Sequence, residues 1–228
     1  SRHDPDRGTE LLTQTILAPE AIMRLEGAFV TGFLKPPGGV SLLERMASND
    51  PSMTVRMQAV KSIAMWPSDA ALPVLARLLE QPQRPLLMTV CRAMCGLDRP
   101  GEVGAALAEV LPRLSSASAR AVVLRALGMA ARRGEREPPP LLVDALDDAD
   151  AIVKIGALEG LKYLGDTIPV ERVRPLLAHA DPRVRARAAM DVFFAGHPGE
   201  AGVLEAMLAP GEEGQTLEAL SALLELAS

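Results

Sequence analysis

Aromatic side chains make up 3% of this 228-residue chain, with one Trp, one Tyr and four Phe. That scarcity argues against a stacking platform for nucleic-acid bases and against a roomy aromatic cleft, since both need several rings on one surface. Histidine occurs only at His3, His179 and His197, and none is followed by Glu. Cysteine is limited to Cys91 and Cys95. Their Cys-x-x-x-Cys spacing is not the Cys-x-x-Cys of redox motifs, and with no second pair it cannot complete a zinc site. Metal ligation and cofactors are therefore not expected. Two thiols inside one apolar helix read as small buried residues of a reducing, cytoplasmic protein. The formal charge of −5 leaves no excess of cations for nucleic-acid phosphates or anionic lipid. No run approaches the ~20 uninterrupted apolar residues of a membrane-spanning helix, and the chain does not open on a basic-then-apolar signal pattern.

What the chain has instead is one recurring phrase. It reads Val55-Arg56-x-x-Ala59-Val60-x-x-Ile63, then Leu86-Leu87-x-x-Val90-Cys91-x-x-Met94, Ala119-Arg120-x-x-Val123-Leu124-x-x-Leu127, Val153-Lys154-x-x-Ala157-Leu158-x-x-Leu161 and Val184-Arg185-x-x-Ala188-Ala189-x-x-Val192. The first residues stand 31, 33, 34 and 31 positions apart, and a weaker sixth copy starts at Thr216 with Leu220 and Leu224. Apolar residues at 0, 4, 5 and 8 mark one face of a helix. A fixed interval of this length marks stacked helical hairpins, each burying the face its neighbour cannot bury alone.

A second apolar helix precedes each phrase, at Leu42–Met46, Ala71–Leu79, Val103–Leu114, Leu141–Leu146, Val170–Leu177 and Val203–Leu208. The expected architecture is all-α: a right-handed α-solenoid of about six hairpins, each an A helix followed by a B helix, over residues 41–228. Residues 1–40 form a tail and an atypical capping pair, Glu10–Ala18 and Glu20–Leu34, closed by Lys35-Pro36-Pro37-Gly38-Gly39. Asp50-Pro51, Asp150-Ala151 and Asp181-Pro182 fall just before B helices, where Asp caps free N–H groups and Pro fits the first turn. The segment from Arg132 to Pro140, charged and ending in Pro138-Pro139-Pro140, is expected to be a solvated loop.

The phrases Asp181-Pro182-Arg183-Val184-Arg185-x-x-Ala188-Ala189 and Asp150-Ala151-Ile152-Val153-Lys154-x-x-Ala157-Leu158 resemble HEAT repeats, specifically the bacterial HEAT-like type first recognised in phycobilin lyases. Asp50 to Arg56 fits with two extra residues, whereas the copies at Leu86 and Ala119 lack the Asp-Pro. The resemblance covers about residues 41–228. It implies an Asp–Arg ladder between neighbouring repeats, engaging Asp50, Asp150, Asp181, Arg56, Arg120, Lys154 and Arg185 in a structural role, and a concave wall lined by B helices.

Enzymes with HEAT-like folds set specific tests. Iron hydroxylases of this fold carry repeated His-Glu pairs as ligands, which are absent here. DNA glycosylases of this type need a basic groove with aromatic residues. Pigment transfer by a phycobilin lyase, the alternative reading, needs a cleft richer in rings than Tyr163, Phe193 and Phe194 provide. Ser115, Ser116 and Ser118 precede a helix and read as caps, Glu212-Glu213 is an adjacent pair in a turn, and Gly38-Gly39 lacks the Lys-Ser/Thr of a phosphate loop. No catalytic set emerges, so the expectation is a non-enzymatic scaffold.

On a wheel of about 100° per residue, phrase positions 2, 6 and 10 point away from the core. They read Lys61, Arg92, Arg125, Glu159 and Met190 at position 6, Met65, Gly96, Met129, Tyr163 and Phe194 at position 10, and Met57, Met88, Ala121, Ile155 and Ala186 at position 2. The expected partner-binding face is a basic ridge flanked by methionines that turns acidic and then apolar: Lys61, Met65, Met88, Arg92, Arg125, Met129, Glu159, Tyr163 and Phe194. Aligned cations orient an acidic segment, and Met adapts to an amphipathic one. The partner is then another protein in a larger bacterial assembly. In the last helix, Leu217, Leu220, Leu223, Leu224 and Leu226 spread over about half the wheel, so self-association or continuation through the C-terminal helix is also expected.

Overall fold

A computed structural model describes residues 12–81, 83–134, 137–208 and 218–224, and among them every regular element is helical. The chain divides into two compact units, Ser1–Arg99 and Pro100–Ser228.

In the first unit, a short helix α1 (12–16) precedes α2 (Ala21–Leu34), α3 (Gly39–Asn49), α4 (Met53–Ile63), α5 (Ser68–Leu78) and α6 (Arg84–Cys95). Helix α4 packs against α2, α3 and α6, while α3 also touches α5, so α2, α4 and α6 form one layer and α3 and α5 the other. The phrase residues sit in this seam. Val55, Ala59, Val60, Ile63, Leu86, Val90, Cys91 and Met94 are all buried.

The second unit repeats the plan with α7 (Pro100–Val110), α8 (Ala117–Arg133), α9 (Pro140–Asp144), α10 (Ala151–Leu161), α11 (Val170–Val173), α12 (Pro182–Phe194), α13 (Gly202–Ala206) and a helical segment α14 over 218–224. Its B helices α8, α10 and α12 form a layer in which α8 and α10 approach most closely. A Cβ added at Gly128 would come 2.1 Å from the Gly160 carbonyl oxygen, and one at Gly156 would come 2.4 Å from the Ala121 Cα. The A helices here continue as 3-10 turns at Leu111–Arg113, Ala145–Asp147 and Arg174–Ala178, and α9 and α11 are short. Pro112 and Pro175 sit in two of these turns, where the missing N–H prevents a regular α-turn.

In the five full copies, every phrase position read as core is buried except Ala119, which is partly exposed. Three expectations are corrected. Arg132 and Arg133 belong to α8 and Pro140 opens α9, so the connection is 134–139, with Glu135 and Arg136 outside the described residues. The sixth copy is out of register: Leu220 and Leu224, expected inside, are 46% and 72% exposed, whereas Ala219 and Ala222 are buried. Those two alanines pack with Ala186, Ala189, Met190, Leu204 and Met207, and Leu223 lies against the same cluster. Met190 and Ala186 therefore lie inside rather than on the outward face, because α14 covers the end of α12. Leu217 and Leu226 lie outside the described residues, as do His3, Glu10, Glu212 and Glu213.

Helix ends are satisfied in a recurring way. Asp150 accepts the N–H of Ile152, Asp181 that of Arg183 and Ser116 that of Ala119, each serving as an N-cap. The basic residue of the phrase reaches back to the preceding A helix: Arg56 Nε donates to the Ala47 carbonyl at 2.8 Å, Lys154 Nζ to Leu146 at 2.7 Å and Arg185 to His179 at 2.7 Å. Carbonyls at a helix C-terminus lack intrahelical partners and carry partial negative charge, so each cation closes its own hairpin. Arg56, Lys154 and Arg185 thus each cap within their own repeat. Arg56 also donates to Gln81 and Gln83, and Arg120 lies 3.6 Å from Asp148 of the next hairpin. Asp50 pairs with Arg24 of the cap at 2.7 Å and accepts the Ser52 N–H. Burial alone would raise its carboxyl pKa, but these donors hold it below the usual range.

Candidate functional site

The outward faces of the B helices differ between the units. In the first, Lys61 on α4 and Arg92 on α6 are exposed and line one depression of about 240 Å³ with Met57, Ala64, Thr89 and Ala93. Neither cation has a carboxylate partner among the described residues. The Thr89 hydroxyl is tied to the Pro85 carbonyl at 2.9 Å, which fixes it on the helix. Met65 and Met88 are also exposed. The helical period explains the placement. Lys61 and Arg92 occupy phrase position 6 in consecutive hairpins, and stacking brings equivalent positions side by side.

In the second unit the equivalent residues satisfy one another. Arg125 on α8 lies 3.8 Å from Glu159 on α10 and donates to the Tyr163 hydroxyl at 3.4 Å. Arg187 on α12 approaches the same Glu159 at 3.6 Å and the Met190 sulfur at 3.7 Å. Lys162 stands 5.4 Å from the ring centre of Phe194, which meets Phe193 edge-on at 5.9 Å. Arg125 and Phe194 are exposed, and Met129, Glu159 and Tyr163 are half-buried. Among the described residues these side chains form an internally paired network.

Sequence reasoning missed Asp191. It is fully buried on α12, and neither carboxylate oxygen has a hydrogen-bond partner among the described residues. Burial pushes this acid well above the ordinary range, Arg187 and Lys162 oppose that, and Glu159 adds to it. The available signal was positional: phrase position 7 holds Ser62, Ala93, Ala126 and Gly160 elsewhere, all small, and an acid here.

Neither unit offers a metal site among the described residues, where no three His, Cys, Asp or Glu converge. Cys91 and Cys95 are buried and form no disulfide, and burial raises the Cys91 thiol. An apolar groove of about 400 Å³ between α7 and the end of α8 has Glu137 as its one ionisable lining residue. No helix among the described residues is long and apolar enough to cross a membrane.

Residues 139–224 match the family model for HEAT repeats. No curated protein matches the chain. Among solved structures, YibA from Escherichia coli is similar at 20% identity over 99% of this chain and 83% of YibA, with a TM-score of 0.51. The complex of CpcE and CpcF of phycocyanin lyase from Nostoc sp. PCC7120 is similar at 19% identity over 100% of this chain and 90% of that one, with a TM-score of 0.44. Human deoxyhypusine hydroxylase matches at 16% identity over 96% of this chain and 95% of that one, with a TM-score of 0.45. At such identity the YibA likeness concerns the fold. Residues 139–224 thus carry the HEAT-repeat pattern, and every regular element among the described residues is helical.

Proposed function

We propose that the chain is a non-enzymatic protein-binding module that takes an acidic, amphipathic segment of a partner on the α4–α6 face of its first unit. The observation that carries this reading is the pair of unpartnered cations, Lys61 and Arg92, lining one small depression with Met57, while Met65 and Met88 are exposed in the same unit. A carboxylate of the partner seated between the two heads meets complementary charge, and the flexible thioethers accommodate its apolar side. Arg125 contributes less than the sequence suggests, because Glu159 and Tyr163 already engage it.

The test is binding of fluorescent acidic amphipathic helical peptides, with a basic peptide of matched hydropathy as control. Lys61→Glu/Arg92→Glu is expected to weaken binding by roughly tenfold or more and to flatten its salt dependence, the behaviour of complementary charges across an interface. The melting temperature should stay unchanged, since both heads are exposed. Arg125→Glu should have a smaller effect. Acidic peptides bound no better than basic ones, or bound equally by the double variant, would return the ridge to ordinary solvated surface.

A further inference from the structure

Helix α2 is built inside out. Its inward face consists of Gly27, Ala28, Thr31 and Gly32, all buried. Glycine is required there because the neighbouring elements come too close for a side chain: a Cβ at Gly32 would lie 2.6 Å from Ser62 Cβ, and one at Gly27 2.9 Å from Ile16. The large residues of α2 consequently point outward, with Phe33 69%, Ile22 63%, Leu34 62%, Phe29 47%, Met23 44% and Val30 37% exposed. At ~200 Å² per large apolar side chain, roughly 600 Å² of apolar surface is left uncovered on one helix. That lies at the upper end of the largest apolar patch that monomers ordinarily leave, and it supplies most of the ~800 Å² that each partner gives to a stable interface. The unit does not use this face for its own core.

The spacing of the face identifies its occupant as a helix. Ile22, Glu26, Phe29 and Phe33 are separated by four, three and four residues, the seam along which two helices pack side by side. Its two charges narrow the choice further. Glu26 lies within the seam and Lys35 at its end, both are exposed, and neither has an ion-pair partner among the described residues. A parallel pair of α2 helices would set Glu26 beside Glu26. An antiparallel pair crossing near Val30 instead sets Glu26 of one copy opposite Lys35 of the other and Phe29 beside Phe33, so the face is complementary to itself. We propose that two copies of this chain associate through α2, antiparallel about a two-fold axis near Val30. Self-complementarity of one patch is what a two-fold interface requires.

Sedimentation velocity of the chain over a wide concentration range is expected to show a monomer–dimer equilibrium. Phe29→Glu/Phe33→Glu should raise the dissociation constant by roughly tenfold or more, as removal of central aromatic anchors does, with helicity and melting unchanged because both rings are exposed. Glu26→Lys and Lys35→Glu should each weaken the dimer, and the two together should restore it. A cysteine at Val30 should cross-link two copies on mild oxidation, whereas one at Met23 should not. A wild-type chain that stays monomeric overturns the proposal, as does a dimer indifferent to Phe29, Phe33 and the charge swap. Monomeric chain that floats with phosphatidylcholine vesicles would assign the face to lipid and overturn it equally.

Discussion

Asp191 sets the energetic problem at the residue scale. A carboxylate with no hydrogen-bond partner inside a helix interface costs free energy in its charged form, and Arg187 and Lys162 act on it only through space. Its folded pKa is raised, so the folded chain holds the proton more tightly than the unfolded one. The stability this contributes is complete below the unfolded value of about 3.9 and is lost as pH rises through the folded value. Asp191→Ala, which installs the residue found at the equivalent positions Ala93 and Ala126, is expected to stabilise the protein by about 1–3 kcal/mol at neutral pH. The gain should shrink as the pH is lowered toward 4. Thermal melts of wild type and variant across that range check both the sign and the slope; a variant less stable at every pH would mean that Asp191 is paired in solution.

At the scale of elements, close helix approach reverses an ordinary propensity. Gly→Ala in a helix normally stabilises by up to ~1 kcal/mol, and Gly104 on α7, where an added Cβ meets nothing within 4 Å, should follow that rule. Gly128→Ala and Gly156→Ala should instead destabilise by about 1–3 kcal/mol, because the new methyl would collide with backbone of the adjoining helix rather than with a movable side chain. Denaturant midpoints of the three variants test the α8–α10 register directly, and equal midpoints would mean that these helices stand further apart. The same constraint shapes helix α2. On a wheel, Phe29, Phe33 and Ile22 look like the core stripe of α2, yet the approach of α2 to α4 admits only Gly, Ala and Thr. Burial of Met190 was likewise invisible, since the wheel of α12 carries no information about α14 arriving some thirty residues later.

Across the whole molecule, a formal charge of −5 leaves little to attract polyanions. Duplex DNA at low salt is expected to produce no salt-dependent mobility shift, since binding scales with the phosphates a protein neutralises; a shift abolished by moderate salt would reopen that function. What the sequence by itself determined is the repeat, the helical class, the core positions of the phrase and the outward placement of Lys61, Arg92, Arg125 and Met65. These follow from a 3.6-residue period acting within one helix, and local order is enough to express it. Only the tertiary structure decided which outward charges are free and which are paired, that Asp191 is buried, that the phrase cations close their own hairpins, and that α2 turns its large side chains outward. Each depends on the distance between segments far apart in the chain, which close packing sets and no single helical wheel contains.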